Sequence, residues 1–360
     1  MTKPVTILLV AALLSLVTAV AGVTFGWGGG PCGSRTLEIT ATDSAALSAT
    51  FVGDTMLGDA ARPMLARLGY DWPLQGIGAL LDGDVTIANA EGPITTRTEA
   101  FDRGQSWTYN AQPDAAAALR RAGIDVLNLA NNHIMDRGPQ GLADTIAVAG
   151  SLGLATVGAG MTACEAELPL LVHGPAGTLA IASFGNYYGR DKTASTFGAG
   201  TVALSRASIE RGAALARAAG ADWIVAYAHW GENYKTTNET QRTLAGYFAA
   251  SGYDLVVGAH PHEIQPIDVV DGMPVAYSIG NFVFGSAGRF PEGVPGVGLM
   301  LRVEFAESGL RSLSLRCIVT DNDIVGFQPR PCDQTLATSV LTGLNPGVRV
   351  TGAVGTLLPE

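Results

Sequence analysis

Short apolar runs that stop abruptly at polar residues recur along this chain, and no other feature restricts its fold as much. Such runs at 49–52, 85–88, 125–130, 155–157, 179–184, 223–228, 255–257 and 275–279 have the length of buried strands. Alanine-rich helical stretches at 114–122, 139–152, 205–219 and 239–251 are interleaved with them. Pro113 before the first stretch, Gly123 after it and Gly252 after the last are helix-boundary signals. The alternation predicts an α/β domain built on a largely parallel or mixed sheet. Beyond Gly296 the pattern changes, because 297–305 and 310–320 alternate apolar and polar residues around Glu307-Ser308-Gly309. That predicts an antiparallel hairpin closing the sheet. With no internal repeat and no second composition regime, one large domain over 49–328 is expected, followed by a peripheral Thr/Gly-rich tail over 329–360.

Parallel sheets expose their sites at the carboxyl ends of the strands, so the residues just past each run matter most. Asn131-Asn132-His133-Ile134-Met135-Asp136-Arg137-Gly138 comes after one run, and by itself it reads equally as a turn or as a site. The other strand ends tip the balance. They carry Asp54, then Asn89-Ala90-Glu91, then His229-Trp230-Gly231-Glu232, then His260-Pro261-His262, and finally Asn281. Of the five histidines only His173 falls outside these segments, as an ordinary surface or turn residue. Singly, Asp54 could be a cap, Glu91 a solvated loop carboxylate and His229 a core imidazole. In an extended segment His260 and His262 would point to one side, with Pro261 as a stiff spacer, and so could face one metal. Imidazole, carboxylate and amide oxygen without a Cys-x-x-Cys pair suit Mn, Zn or Fe, as one ion or two. A histidine outside the ligand set could then protonate a leaving oxygen.

Net charge is −10 and no Lys/Arg cluster occurs, which argues against a nucleic-acid backbone as partner. An anionic polymer or a phosphorylated substrate would instead need the local positive charge of a metal. Residues 1–23 hold one early cation, Lys3, and an apolar run from Val5 to Val23 with Ala19-Val20-Ala21 near its end. This is the pattern of a signal peptide or of an uncut membrane anchor, so the chain is expected to be exported and either secreted or anchored to the cell membrane. Residues 24–48, rich in Gly, Ser and Thr, are expected to be a flexible linker. Export permits disulfides, and of the four cysteines Cys317 with Cys332 is the most plausible pair, with free thiols as the alternative.

Taken together and in order, Gly53-Asp54, Asn89-Ala90-Glu91-Gly92, Asn131-Asn132-His133 with Asp136 and Gly138, His229-Trp230-Gly231-Glu232, Gly258-Ala259-His260-Pro261-His262 and Tyr277-Ser278-Ile279-Gly280-Asn281-Phe282 resemble the bacterial capsule-synthesis CapA family. That family is associated with poly-γ-glutamate production and belongs to the calcineurin-like metallophosphatase superfamily. The resemblance implies a two-sheet β-sandwich flanked by helices, four layers in all, with a two-metal site at the strand ends. It implies Asp54, Asn132, His229, His260 and His262 as metal ligands and His133 as general acid. His133 and Asp136 are then the candidate catalytic residues, with Asp136, Asn131 and Gly138 shaping the turn, and Asn89, Asn131, Glu232 and Asn281 in support. Where the superfamily's opening Asp-x-His would place a histidine this chain has Met56, and in place of Gly-Asp-x-x-Asp it has Asn89-Ala90-Glu91. Glu91 is therefore the substitute for the bridging carboxylate. The expected activity is envelope hydrolysis in capsule or poly-γ-glutamate metabolism. The alternatives are a non-catalytic subunit that binds polymer or supports membrane synthase subunits, and a secreted phosphatase or nucleotidase unrelated to capsule.

Overall fold

The computed structural model describes residues 32–39, 43, 45–186, 188–287, 290, 293–294 and 296–357. One sheet orders its strands Arg35–Glu38, Leu170–Gly174, Gly177–Gly185, Trp223–His229, Leu255–Ala259, Met273–Ala276 and Ile267–Val270. The other runs Arg349–Thr351, Val354–Leu357, Gly309–Val319, Val297–Ala306, Leu47–Met56, Val85–Ala90, Val126–Asn128 and Ala155–Val157, and Asn281–Phe284 pairs beside the end of Leu47–Met56.

Strand periodicity assigns the faces. Side chains alternate across a strand, so Leu47, Ala49 and Phe51 from one sheet meet Val225, Tyr227 and Leu255 from the other in a single core between the sheets. The opposite face, with Val52, Ala88 and Leu127, packs against the helices Pro113–Ala122 and Gly138–Ser151. On the far side Ala180, Ile224 and Ala226 pack against Arg206–Ala218 and Glu239–Ala250. The order is helix, sheet, sheet, helix, which is the flanked two-sheet sandwich that the resemblance implied. In the middle layer Trp223 stacks on Phe305 at 5.4 Å, and full burial of each such side chain contributes about 1.5–3 kcal/mol.

Local chemistry fixes the helix ends close to where the sequence puts them. Ser205 and Asn238 each form a capping box with the residue three positions on, and Gly123 ends its helix in the left-handed conformation. A single sheet was the reading of the residues alone, and the structure corrects it. The runs from 49–52 to 155–157 build one sheet and those from 179–184 to 275–279 the other, a division that no local signal announces. The hairpin of Val297–Ala306 and Gly309–Val319 forms as expected and joins Leu47–Met56 in antiparallel register.

Both ends of the chain depart from expectation. The linker anticipated over 24–48 contains the strand Arg35–Glu38, which pairs in parallel with Leu170–Gly174 and buries Leu37 in the middle core. Arg35 donates to the carbonyls of Thr156 and Ala159. Four residues with one apolar side chain are too short a pattern to announce a strand. The tail over 329–360 is not peripheral either. It supplies the helix Gln334–Leu344, which buries Ala337 and Leu341, and two strands that extend the second sheet. Cys317 is bonded to Cys332, and Cys32 to Cys164, a pairing over 132 residues of sequence for which the spacing gave no cue. The expected leader over 1–23 and the linker as far as Pro31 lie outside the described residues. Among the described residues no helix is long and apolar enough to cross a membrane.

Candidate metal centre

The site grows from a row of polar residues laid across four parallel strands. Asn281, Asp54, Asn89 and Asn128 sit opposite one another in register, the last three at or near the carboxyl ends of their strands and Asn281 at the start of Asn281–Phe284. A bulge between Val52 and Asp54 turns the Asp54 carboxylate out of the strand alternation. Gly53 lies in that bulge, where a Cβ would stand 1.8 Å from the Gly280 carbonyl, so no side chain fits there. The Asn89 amide donates to Asp54 Oδ1 at 2.7 Å, and its own oxygen accepts from Asn128 and Asn131. Asn89 is thus locked by its neighbours and cannot turn its oxygen toward the carboxylate.

The second sheet brings histidines to this row. His229 ends the strand Trp223–His229, with Nε2 2.8 Å from Asn132 Oδ1 and Nδ1 3.8 Å from Asp54 Oδ1. Past the strand Leu255–Ala259 the chain bends at His260, φ +99°, and His262, φ +59°. The expectation of an extended His-Pro-His segment is therefore corrected. Left-handed backbone at two non-glycine residues, at about 1–3 kcal/mol each, is what aims both rings. His262 Nδ1 lies 3.3 Å from Asp54 Oδ2 and 3.0 Å from Asn281 Oδ1, while the His260 amide donates to Asp54 Oδ2.

Glu91 is the informative residue. It is buried, and neither of its oxygens has a hydrogen-bond partner among the described residues; His260 Nδ1 is orphaned in the same way. Oε1 stands 3.8 Å from His229 Nε2 and 3.7 Å from His262 Nε2, too far for hydrogen bonds. Buried acceptors are rarely left unmet, because the cost is about 1–3 kcal/mol each and more for a charged group. Two sets of ligand atoms, Glu91 with His229 and His260 and Asp54 with Glu91 and His262, each lie within 4.8 Å of one another, and Glu91 belongs to both. Imidazole and carboxylate around unmet lone pairs fit a divalent cation.

Electrostatics of the protein groups alone point the same way. Burial, then the negative charge of Asp54, pushes the Glu91 carboxyl well above its ordinary value. Burial also pushes Asp54 up, but its hydrogen bond and charge interaction with His262, with His229 and Asn89 behind them, win and hold it at about 2. For His229 burial and the charge of His260 lower the imidazole well below 6.5, and for His260 burial and the charge of His262 lower it to about 3. These two rings are neutral at pH 7 and offer lone pairs. His262 is opposed by burial yet raised to about 9 by Glu91 and Asp54. A histidine raised on folding contributes stability that is complete below about 6.5 and is lost as pH climbs through about 9. Glu91 acts in the same direction, since the unfolded chain gives up that proton first. Chelator-treated protein is expected to melt at a lower temperature at pH 9 than at pH 6.5, and thermal denaturation showing the opposite order would contradict this balance.

Beside the cluster His133 forms a dyad with Asp136. Nδ1 lies 2.7 Å from Asp136 Oδ2, and that carboxylate also accepts from the Tyr109 amide at 2.7 Å and from Gln105 at 2.9 Å. Asn131 Oδ1 accepts the His133 amide, and Gly138, φ +64°, closes the turn through its bond to the Met135 carbonyl. Tyr109 packs over the His133 ring at 4.2 Å. Asp54, Glu91, Asn132, His229, His260 and His262 are brought together, with Asn89, Asn131 and Asn281 against them. Glu232 is not; it is exposed and 3.4 Å from Asn238. His173 lies half-buried in the strand Leu170–Gly174, bonded to Thr178. Sequence reasoning passed over Asn128, a polar residue inside an apolar run that could have been noticed. It also passed over Gln105, Tyr109 and Lys192, which sit in polar loops with no distinguishing pattern.

Scaffold and cluster together define a four-layer α/β protein with a histidine–carboxylate cluster at its strand ends whose donor atoms could hold a metal ion. Residues 48–286 match the model of the bacterial capsule synthesis proteins, PGA_cap, and the chain belongs to that family. It is 30% identical over 254 residues to the PGA biosynthesis protein CapA of Bacillus subtilis (strain 168), a match covering 70% of this chain and 67% of that protein. It is 29% identical over 245 residues to the capsule biosynthesis protein CapA of Bacillus anthracis, covering 66% of this chain and 60% of that one. Among solved structures it is similar to the calcineurin-like phosphoesterase YfkN of Bacillus subtilis, at 15% identity and a TM-score of 0.42 over 74% of this chain and 88% of that chain, a likeness too slight to bear on activity.

Proposed function

We propose that the chain is a metal-dependent hydrolase of the cell envelope that acts in capsule or poly-γ-glutamate synthesis or export, on a phosphoester or acyl-phosphate linkage or on the polymer itself. The observation that carries this reading is Glu91, buried with both oxygens unmet and common to two sets of candidate ligands. Asp54, Glu91, Asn132, His229, His260 and His262 would hold the cations, of which Mn, Zn and Fe suit the donors. A divalent pair supplies Lewis acidity toward a substrate oxygen and makes water acidic enough to react near neutral pH. The protein groups do the rest. Asn89 and Asn281 hold Asp54 and His262 in place, and Asp136 fixes the Nδ1 side of His133. With Nδ1–H held by Asp136, the doubly protonated ring of His133 would give its Nε2 proton to the departing oxygen and be left as the neutral Nδ1–H tautomer.

Purified protein loaded with Mn or Zn is expected to hydrolyse a general phosphoester and to lose that activity on chelation. Absence of hydrolysis by metal-loaded protein would sink the catalytic reading. A second reading, an envelope subunit that binds anionic polymer or supports a membrane synthase without catalysis, is favoured by Met56, buried where the superfamily places a ligand histidine. Export of the chain, as a secreted or anchored domain, belongs to the same proposal; its support is the apolar run of residues 5–23.

A further inference from the structure

The dyad does not end at Asp136. Gln105 places both hydrogens of its amide, one on Asp136 Oδ1 at 2.9 Å and one on the Trp107 carbonyl at 2.6 Å. Its oxygen accepts from Lys192 Nζ at 2.5 Å. A flipped amide would set oxygen against carboxylate and nitrogen against ammonium, so Lys192 fixes which way Gln105 points. The Lys192 main chain is held in turn, because its carbonyl accepts the Thr201 amide at 2.9 Å. Three segments distant in sequence, around 105, 133–136 and 192, therefore meet in one hydrogen-bonded line: Lys192, Gln105, Asp136, His133.

We propose that Gln105 and Lys192 are positioning residues for the His133–Asp136 dyad, with Lys192 orienting the Gln105 amide and Gln105 anchoring Asp136. This rests on the reading of His133 as the proton carrier. Asp136 has rotational freedom about its terminal torsion, and the Gln105 donor on Oδ1 together with the Tyr109 amide on Oδ2 removes it. The imidazole then presents Nε2 in one orientation. Neither Gln105 nor Lys192 is placed to hold a cation, so their loss acts on alignment and not on the ligand set.

The test uses the full chain, metal-loaded, with bis(p-nitrophenyl) phosphate as probe, and compares Gln105→Leu, Lys192→Met and Lys192→Arg. Loss of alignment at a proton-transfer group is expected to lower kcat about tenfold in the first two, with KM within about twofold. Lys192→Arg keeps a donor for Gln105 and is expected to recover kcat to within about threefold of wild type. A raised KM at unchanged kcat would overturn the proposal, since Lys192 would then serve to bind substrate. A second measurement does not need turnover. In chelator-treated protein at one fixed pH, nitrogen-15 NMR of His133 is expected to show the Nδ1–H tautomer in wild type and a reduced share of it in Gln105→Leu and Lys192→Met. An unchanged tautomer in both variants would overturn the positioning role. A tautomer shift in protein that hydrolyses nothing would uphold it and would remove the hydrolase reading instead.

Discussion

His133→Ala is expected to lower metal-dependent turnover by about 10²–10⁴-fold, the range for loss of a general acid or base, while bound metal stays the same. The argument is one of place. His133 leans on Asp136 and Tyr109, whereas the two sets of ligand atoms are completed by Asp54, Glu91 and the other three histidines of the cluster. Removing the ring should leave the cations and the fold and delete the proton carrier. Asp136→Asn should reproduce part of the loss, since an amide at this position no longer holds Nδ1–H. Turnover equal to wild type in His133→Ala would contradict the assignment, and a parallel loss of metal would place His133 among the ligands.

Glu91→Gln should act in opposite directions on metal binding and on stability. With the one carboxylate shared by both sets of ligand atoms gone, each set would lose its common anionic ligand, and metal affinity should fall by about 10²-fold or more, beyond the loss seen for outer-shell changes. In chelator-treated protein the same variant should be more stable at pH 8 by about 1–3 kcal/mol, because a buried carboxylate without hydrogen-bond donors is replaced by a neutral amide. Burial next to Asp54 already pushes Glu91 toward its neutral form, which is the physical sign of that cost. Thermal melts with and without chelator check both halves. A variant destabilised in both conditions would mean that Glu91 serves the fold and not a cation.

The strand ends were legible because their chemistry contradicts their surroundings. Asp54, Glu91, His229 and His262 interrupt apolar runs, and a polar residue there needs a reason. The positions that needed three dimensions differ in kind. Lys192 and Gln105 lie in loops where polar residues are ordinary, and only their convergence on Asp136 singles them out. The His260-Pro261-His262 pair was found for the wrong reason: positive φ at both histidines, not extended geometry, brings the rings to the cluster. The four helices read from the sequence were placed to within a residue or two, but Arg62–Leu68, with Pro63 and Gly69 at its ends, was not read. The division of the strands between two sheets was not, since Phe51 and Tyr227 each alternate correctly in a single sheet as well as across two. Leu37 and Leu341 show the limit most plainly, because each is core yet lies in a segment whose composition suits a linker or a tail.

Metal content tests the central claim most directly. Protein purified without chelator, supplied with Mn or Zn, freed of excess by dialysis and measured by elemental mass spectrometry should hold about two ions per chain, the number that a carboxylate shared between two ligand sets can bridge. Protein holding no stoichiometric ion, under conditions in which it remains folded, would contradict it.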